Sequence, residues 1–309
     1  MTTATTSAAR SSFTLRFAIA LVAGLAAAVV LSPFAAAAVA AMGFHFPFPR
    51  IFDRTVMVTL LGALLIWSRS MGFAALMREG FAAPRANLPR VLIGLAISLG
   101  AIAILFGLAY ASGAGAAVSI SALVARALKF ALPAIAIGII EEGFFRAFLL
   151  GGMRRDFGPR IAVVASSGLY SIVHLVRSPA RYYLAGLHPG AGLHNLVASA
   201  AQLGHPIVAA PTLVGLFLLG MVLGEAFIDT GTVWFSIGLH AGFVLGAKTW
   251  PLIARGGAPI SRWVAGPGPV PLIAAPAAWA IALVLLIALP RFFHHGNRTN
   301  RRDQDRLGG

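Results

Sequence analysis

Apolar runs of about 20 residues recur along this chain from residue 17 to residue 289, and no polar stretch between them is long enough for a soluble domain. Backbone groups in hydrocarbon must be satisfied within their own segment, so runs of this length predict an all-α, polytopic integral membrane protein. Eight segments qualify: roughly 17–42, 55–77, 91–112, 122–150, 159–177, 207–229, 232–253 and 270–289. Composition agrees, since only 11% of the 309 residues are charged, against about a quarter in a soluble domain. The expected organisation is a cytoplasmic N-terminal tail (1–16), a transmembrane helical domain (17–290) and a basic, disordered cytoplasmic tail (291–309). The first run follows Arg10 and Arg16 and ends in small residues, as a signal peptide does. It is too long for a signal's apolar core and reads as a retained helix.

The formal charge of +15 does not point to nucleic acid, because the basic residues fall in loops between apolar runs, where anionic lipid headgroups are the natural partner. With the N-terminus inside, fourteen Lys and Arg fall on the cytoplasmic side and nine on the other. The expected placement is therefore multi-pass in a cell (inner) membrane with both termini cytoplasmic. Only two of the basic residues are lysine, a bias typical of a GC-rich bacterial genome. Cysteine is absent, which excludes disulfides, thiolate metal sites and cysteine nucleophiles. No internal repeat is evident, which weighs against a transporter built from inverted halves.

Two connections are long. In residues 178–206, Leu193, Leu196, Val197 and Ala200 fall at helical spacing beside His194, Asn195 and Gln202, the pattern of an interfacial amphipathic helix. Residues 256–271 are rich in Gly and Pro around Trp263 and read as an irregular loop with an aromatic anchor.

A charged group near a bilayer centre costs about 2.5–3.5 kcal/mol, so ionisable residues inside spans require a reason. The richest cluster is Glu141-Glu142-Gly143-Phe144-Phe145-Arg146 in the fourth span. Glu142 and Arg146 are four apart with the acid first, the favourable order for a helical ion pair, and read as structural. Glu141 is displaced by about 100° around the helix and is left for another partner. Candidates lie in later spans: Tyr170 and His174, four apart on one face, and His240 in the middle of the seventh span. Counted from the cytoplasmic ends of their helices, Glu141, His174 and His240 fall in one layer about 10 Å thick, so a single cavity can hold all three. Pro133 is expected to kink the fourth helix and widen that cavity. Glu225 and Asp229 read as an interfacial polar step, and His188, His194, His205, His294 and His295 as solvated imidazoles.

The ordered pattern Glu141-Glu142-x-x-x-Arg146, then aromatic-x-x-x-His ending at His174, then a late histidine at His240 after the Thr230-Gly231 turn, resembles the CAAX-protease and bacteriocin-processing family of intramembrane proteases. The resemblance covers about residues 122–250. It implies that Glu141 and His174 activate the attacking water while His240 helps hold the developing oxyanion. It further implies a membrane-protein or lipidated peptide as substrate. Two positions depart from the family pattern. Tyr170 stands where the family has Phe, and Val244 stands where it has Asn or Asp four residues after the late histidine, losing a hydrogen-bond donor.

From the residues alone, two chemistries stay open. A buried carboxylate can act as general base with a histidine orienting the water. Alternatively, one carboxylate and two imidazoles (Glu141, His174, His240) form a usual three-ligand set for catalytic zinc, although no HExxH motif is present. Besides the enzyme stands a non-catalytic reading: a membrane scaffold, immunity or proton-coupled transport protein using the same fold, with Val244 on its side.

Overall fold

The structure is a computed structural model describing residues 12–254, 262–266 and 272–307. Among these the chain is helical, with an isolated bridge between Gly115 and Ala254 and no strand. Six helical segments are long and apolar enough to cross a membrane: Phe13–Ala41, Phe48–Met71, Leu88–Ala111, Ile120–Leu175, Ile207–Thr230 and Pro276–Phe293. The chain is thus a polytopic, all-α membrane protein. Its lipid-facing character is visible in side chains such as Leu132, Ile207 and Val58, which are large, apolar and exposed.

Eight separate spans were expected, and the difference has two sources. The fourth and fifth expected spans fall in the single run Ile120–Leu175, but Gly158 at φ 77° and ψ 169°, ahead of Pro159, divides that run into two helices at the expected place. The seventh forms a helix at Trp234–Ile253, but most of its residues are buried in protein, so it carries more Gly, Ser and His than a lipid-facing span.

The chain folds as two compact units, one comprising residues up to Ala74 with Ser178–Ser199, the other Ala75–Arg177 with the residues from Ala200 onward. In the first unit α1 (Phe13–Ala41) starts at Ser12, whose hydroxyl accepts from the Leu15 N–H, and pairs with α2 (Phe48–Met71). Residues 1–11 of the expected N-terminal tail lie outside the described residues, and the helix begins four residues before the expected span. The amphipathic segment is a helix, counted as α7 (Ala191–Ser199), followed by a 3-10 turn (Ala201–Gly204). It packs through small and polar residues and leaves apolar ones outward, as an interfacial helix does. Ala191, Gly192, Asn195 and Ser199 are buried, while Leu193 and Val197 are exposed. The reason is close approach: a Cβ at Gly192 would collide with the Val29 carbonyl of α1. Asn195 is satisfied internally, since its Oδ1 accepts from the Tyr182 hydroxyl at 3.0 Å.

The second unit contains the end of α3 (Phe73–Gly80), then α4 (Leu88–Ala111), α5 (Ile120–Glu142), a π-helical segment (Gly143–Leu150), α6 (Gly151–Leu175), α8 (Pro206–Thr230), α9 (Trp234–Ile253), the short α10 (Arg262–Ala265) and α11 (Pro276–Leu307). α9 is its centre. Gly238, Gly242 and Gly246 form a stripe four residues apart where a Cβ would meet the Val91 carbonyl, the Ser98 hydroxyl and Ile102 of α4. Backbones approach this closely only over small residues. On its other sides α9 meets α5 at Gly138 and α8 through the Ser236 hydroxyl, which donates to the Leu223 carbonyl at 3.0 Å. α6 meets α8 where Gly220 leaves room for Ser167.

α5 runs through Pro133 as continuous helix, and the departure from α geometry lies after it, in the π segment. α11 extends to Leu307, whereas a disordered tail from Arg291 was expected. Elongating a helix already nucleated by an apolar span costs little per residue, which polar composition alone does not reveal. Much of the expected Gly/Pro-rich loop, at 255–261 and 267–271, lies outside the described residues.

Candidate active site

The two glutamates that close α5 meet His240 at different ring nitrogens and otherwise have different partners. Glu142 is fully buried, and its Oε2 lies 3.3 Å from Arg146 Nε across one turn. Arg146 in turn donates from Nη2 to the Gly220 carbonyl of α8 at 3.2 Å, and its guanidinium stacks 4.8 Å from the Tyr170 ring centre. The expected ion pair is therefore present, and it ties the π segment to α6 and α8. Glu142 does more than sequence spacing indicates: its Oε1 lies 2.7 Å from His240 Nδ1. An ion-paired carboxylate accepts, so the Nδ1–H of His240 donates to it and the ring is fixed with Nε2 free of hydrogen.

His174 is held in the same tautomer by another device. Its Nδ1 sits 2.7 Å from the Tyr170 carbonyl oxygen, which can only accept, so Nδ1 carries the hydrogen and Nε2 again does not. Tyr170 packs edge-on against Phe145 at 5.0 Å and lies 4.2 Å from the His174 ring. Tyr170 thus supplies an aromatic wall beside the histidine.

Both Nε2 atoms face Glu141. Its Oε2 is 3.4 Å from His174 Nε2 and 3.8 Å from His240 Nε2, and no hydrogen-bond donor satisfies it. Three acceptors are thus turned on one point, and a water molecule there can donate its two hydrogens to two of them, Glu141 and one imidazole, and offer its lone pair elsewhere. Access is graded: the Glu141 and His174 side chains are 27% and 30% exposed, His240 only 4%. The exposed share opens onto a cavity of about 290 Å³. Glu141, Tyr170, His174 and His240 line one end, while Val244, Phe243, Leu219 and Trp279 belong to its apolar walls. Glu142 and Arg146 do not line it. Val244 presents a methyl surface to the cavity.

The donor set of Glu141, His174 and His240 is chemically of the zinc-binding kind. Even so, no three His, Asp or Glu among the described residues are arranged as ligands of one metal ion. Glu225 and Asp229 lie elsewhere on α8, and His188 and His194 belong to the first unit.

A family model described as Type II CAAX prenyl endopeptidase Rce1-like matches residues 123–246. No curated protein and no solved structure matches the chain.

Proposed function

We propose that this chain, which over residues 123–246 is similar to the Rce1-like CAAX-protease family, is an intramembrane endopeptidase that hydrolyses a peptide bond at Glu141. The observation that carries the reading is the convergence of Glu141 Oε2 with two imidazole Nε2 atoms, at 3.4 and 3.8 Å, in a cavity walled mostly by apolar side chains, with Lys248 and Tyr170 also lining it.

A water held between Glu141 and His174 loses a proton to Glu141 as its oxygen bonds to the scissile carbonyl carbon. The carbonyl π electrons move onto oxygen. His240 faces that oxyanion through Nε2, and it donates there only after taking up a second proton from water in the cavity, a charge that Glu142 balances. When the tetrahedral intermediate collapses, the C–N bond breaks and Glu141 returns its proton to the leaving amine. Glu142 and Arg146 are positioning residues, because they act through His240 and the helix packing. The apolar walls favour an apolar peptide segment, from a membrane protein or a lipidated peptide. We place the enzyme in the inner membrane with both termini cytoplasmic, as the distribution of basic residues supports.

Val244 favours the second reading, a non-catalytic scaffold, immunity or transport protein of the same fold. The two separate in one assay, cleavage of a quenched apolar peptide by purified protein in proteoliposomes. The protease reading expects cleavage by the wild type and by His194→Ala, and none by Glu141→Ala or His174→Ala. Cleavage undiminished in Glu141→Ala removes it.

A further inference from the structure

We propose that the groove between α1 and α2 binds an anionic phospholipid, with its phosphate on Arg50 and Arg54 and one acyl chain lying along the groove. The groove encloses about 650 Å³. Leu31, Ala35 and Val39 of α1 and Val58 of α2 give it apolar walls, and Thr55 and Thr59 also line it with hydroxyls donated back to the Ile51 and Thr55 carbonyls of their own helix. Arg50 and Arg54 also line it and are exposed, one turn apart on a single face of α2.

The two ends of the groove differ in chemistry. Val58 lies eight residues beyond Arg50, about 12 Å further along the helix. Cations thus mark one end and hydrocarbon the other, the polarity of a lipid standing in a leaflet. Phe46, at the cationic end, lies under the Arg50 guanidinium at 5.5 Å and offers the aromatic surface found at headgroup depth. Arg54 Nη1 is drawn to Met57 Sδ at 3.2 Å. Among the described residues no carboxylate pairs with either arginine. The neighbouring acid, Asp53, accepts from the Ser178 hydroxyl.

Charge complementarity selects the occupant. A free phosphate would leave the apolar length uncovered, and a zwitterionic lipid would bring a cation to two arginines. An anionic phospholipid satisfies both ends.

The test is native mass spectrometry of the full-length protein in detergent, titrated with phosphatidylglycerol and, separately, phosphatidylcholine. Saturable binding of phosphatidylglycerol is expected, with phosphatidylcholine at least tenfold weaker. Replacing both arginines (Arg50→Gln with Arg54→Gln) should weaken phosphatidylglycerol about 30-fold. The lysine pair (Arg50→Lys with Arg54→Lys) should retain it, and Arg78→Gln with Arg85→Gln should change it less than twofold. Ala35→Phe, which fills the groove without touching charge, should weaken both lipids. The proposal is overturned if the two glutamine pairs behave alike, if Ala35→Phe binds as the wild type does, or if inorganic phosphate displaces the lipid.

Discussion

Glu142 holds two positively disposed neighbours, Arg146 at 3.3 Å and His240 at 2.7 Å, and so couples a structural ion pair to a ring that faces the cavity. Replacing it by Gln has two expected consequences. Cleavage falls by about 100-fold or more, because His240 loses the partner that fixes its tautomer. Stability falls by about 3–5 kcal/mol, because Arg146 is left buried without its counter-charge, and a lowered Tm reads this out. Activity equal to wild type would detach Glu142 from the chemistry. At Val244, substitution by Asn restores a donor in the cavity wall one turn from His240. The expected outcome is a gain in cleavage rate of up to about 100-fold, measured on the same peptide, with Tm little changed. Spacing in the sequence separates Glu141 from Glu142, since 100° on a helix gives Arg146 to Glu142 and His174 to Glu141, although both reach His240. It could not show the His240 contact, because residues 142 and 240 meet only through the packing of α5 on α9.

α9 carries His240 to its depth through the glycine stripe against α4, so this element links packing to function. Gly242→Val meets the Ser98 hydroxyl and should cost about 1–3 kcal/mol and reduce cleavage, since His240 shifts with its helix. Gly107→Ala, at an α4 position with open space around it, should leave activity intact and Tm unchanged or raised. Thermal unfolding in detergent, paired with the cleavage assay, distinguishes the two. Helix existence was legible from apolar run length alone. Helix faces were less so. α7 buries Asn195 and Ser199 because Gly192 permits contact with the Val29 carbonyl, and no hydrophobic periodicity announces a face chosen by size. The π segment after Glu142 was equally silent, since an extra residue per turn leaves no compositional mark.

For the whole molecule, the sequence read correctly as polytopic and all-α, because the bilayer restricts what an apolar chain can do. The side of the membrane each loop occupies rests on the Lys and Arg bias alone. The absence of cysteine makes this directly measurable, since any introduced thiol is unique. In intact cells, Arg181→Cys should react with an impermeant maleimide and Arg85→Cys should react only after permeabilisation. The reverse pattern would invert the topology without disturbing the site.

The central claim is that Glu141 and His174 act on one water as a unit, and a double-mutant cycle on cleavage rate tests it most directly. If they act together, Glu141→Gln with His174→Ala is no slower than Glu141→Gln alone, because the first loss already abolishes the step. Losses that multiply, or a Glu141→Gln protein as fast as the wild type, would contradict it.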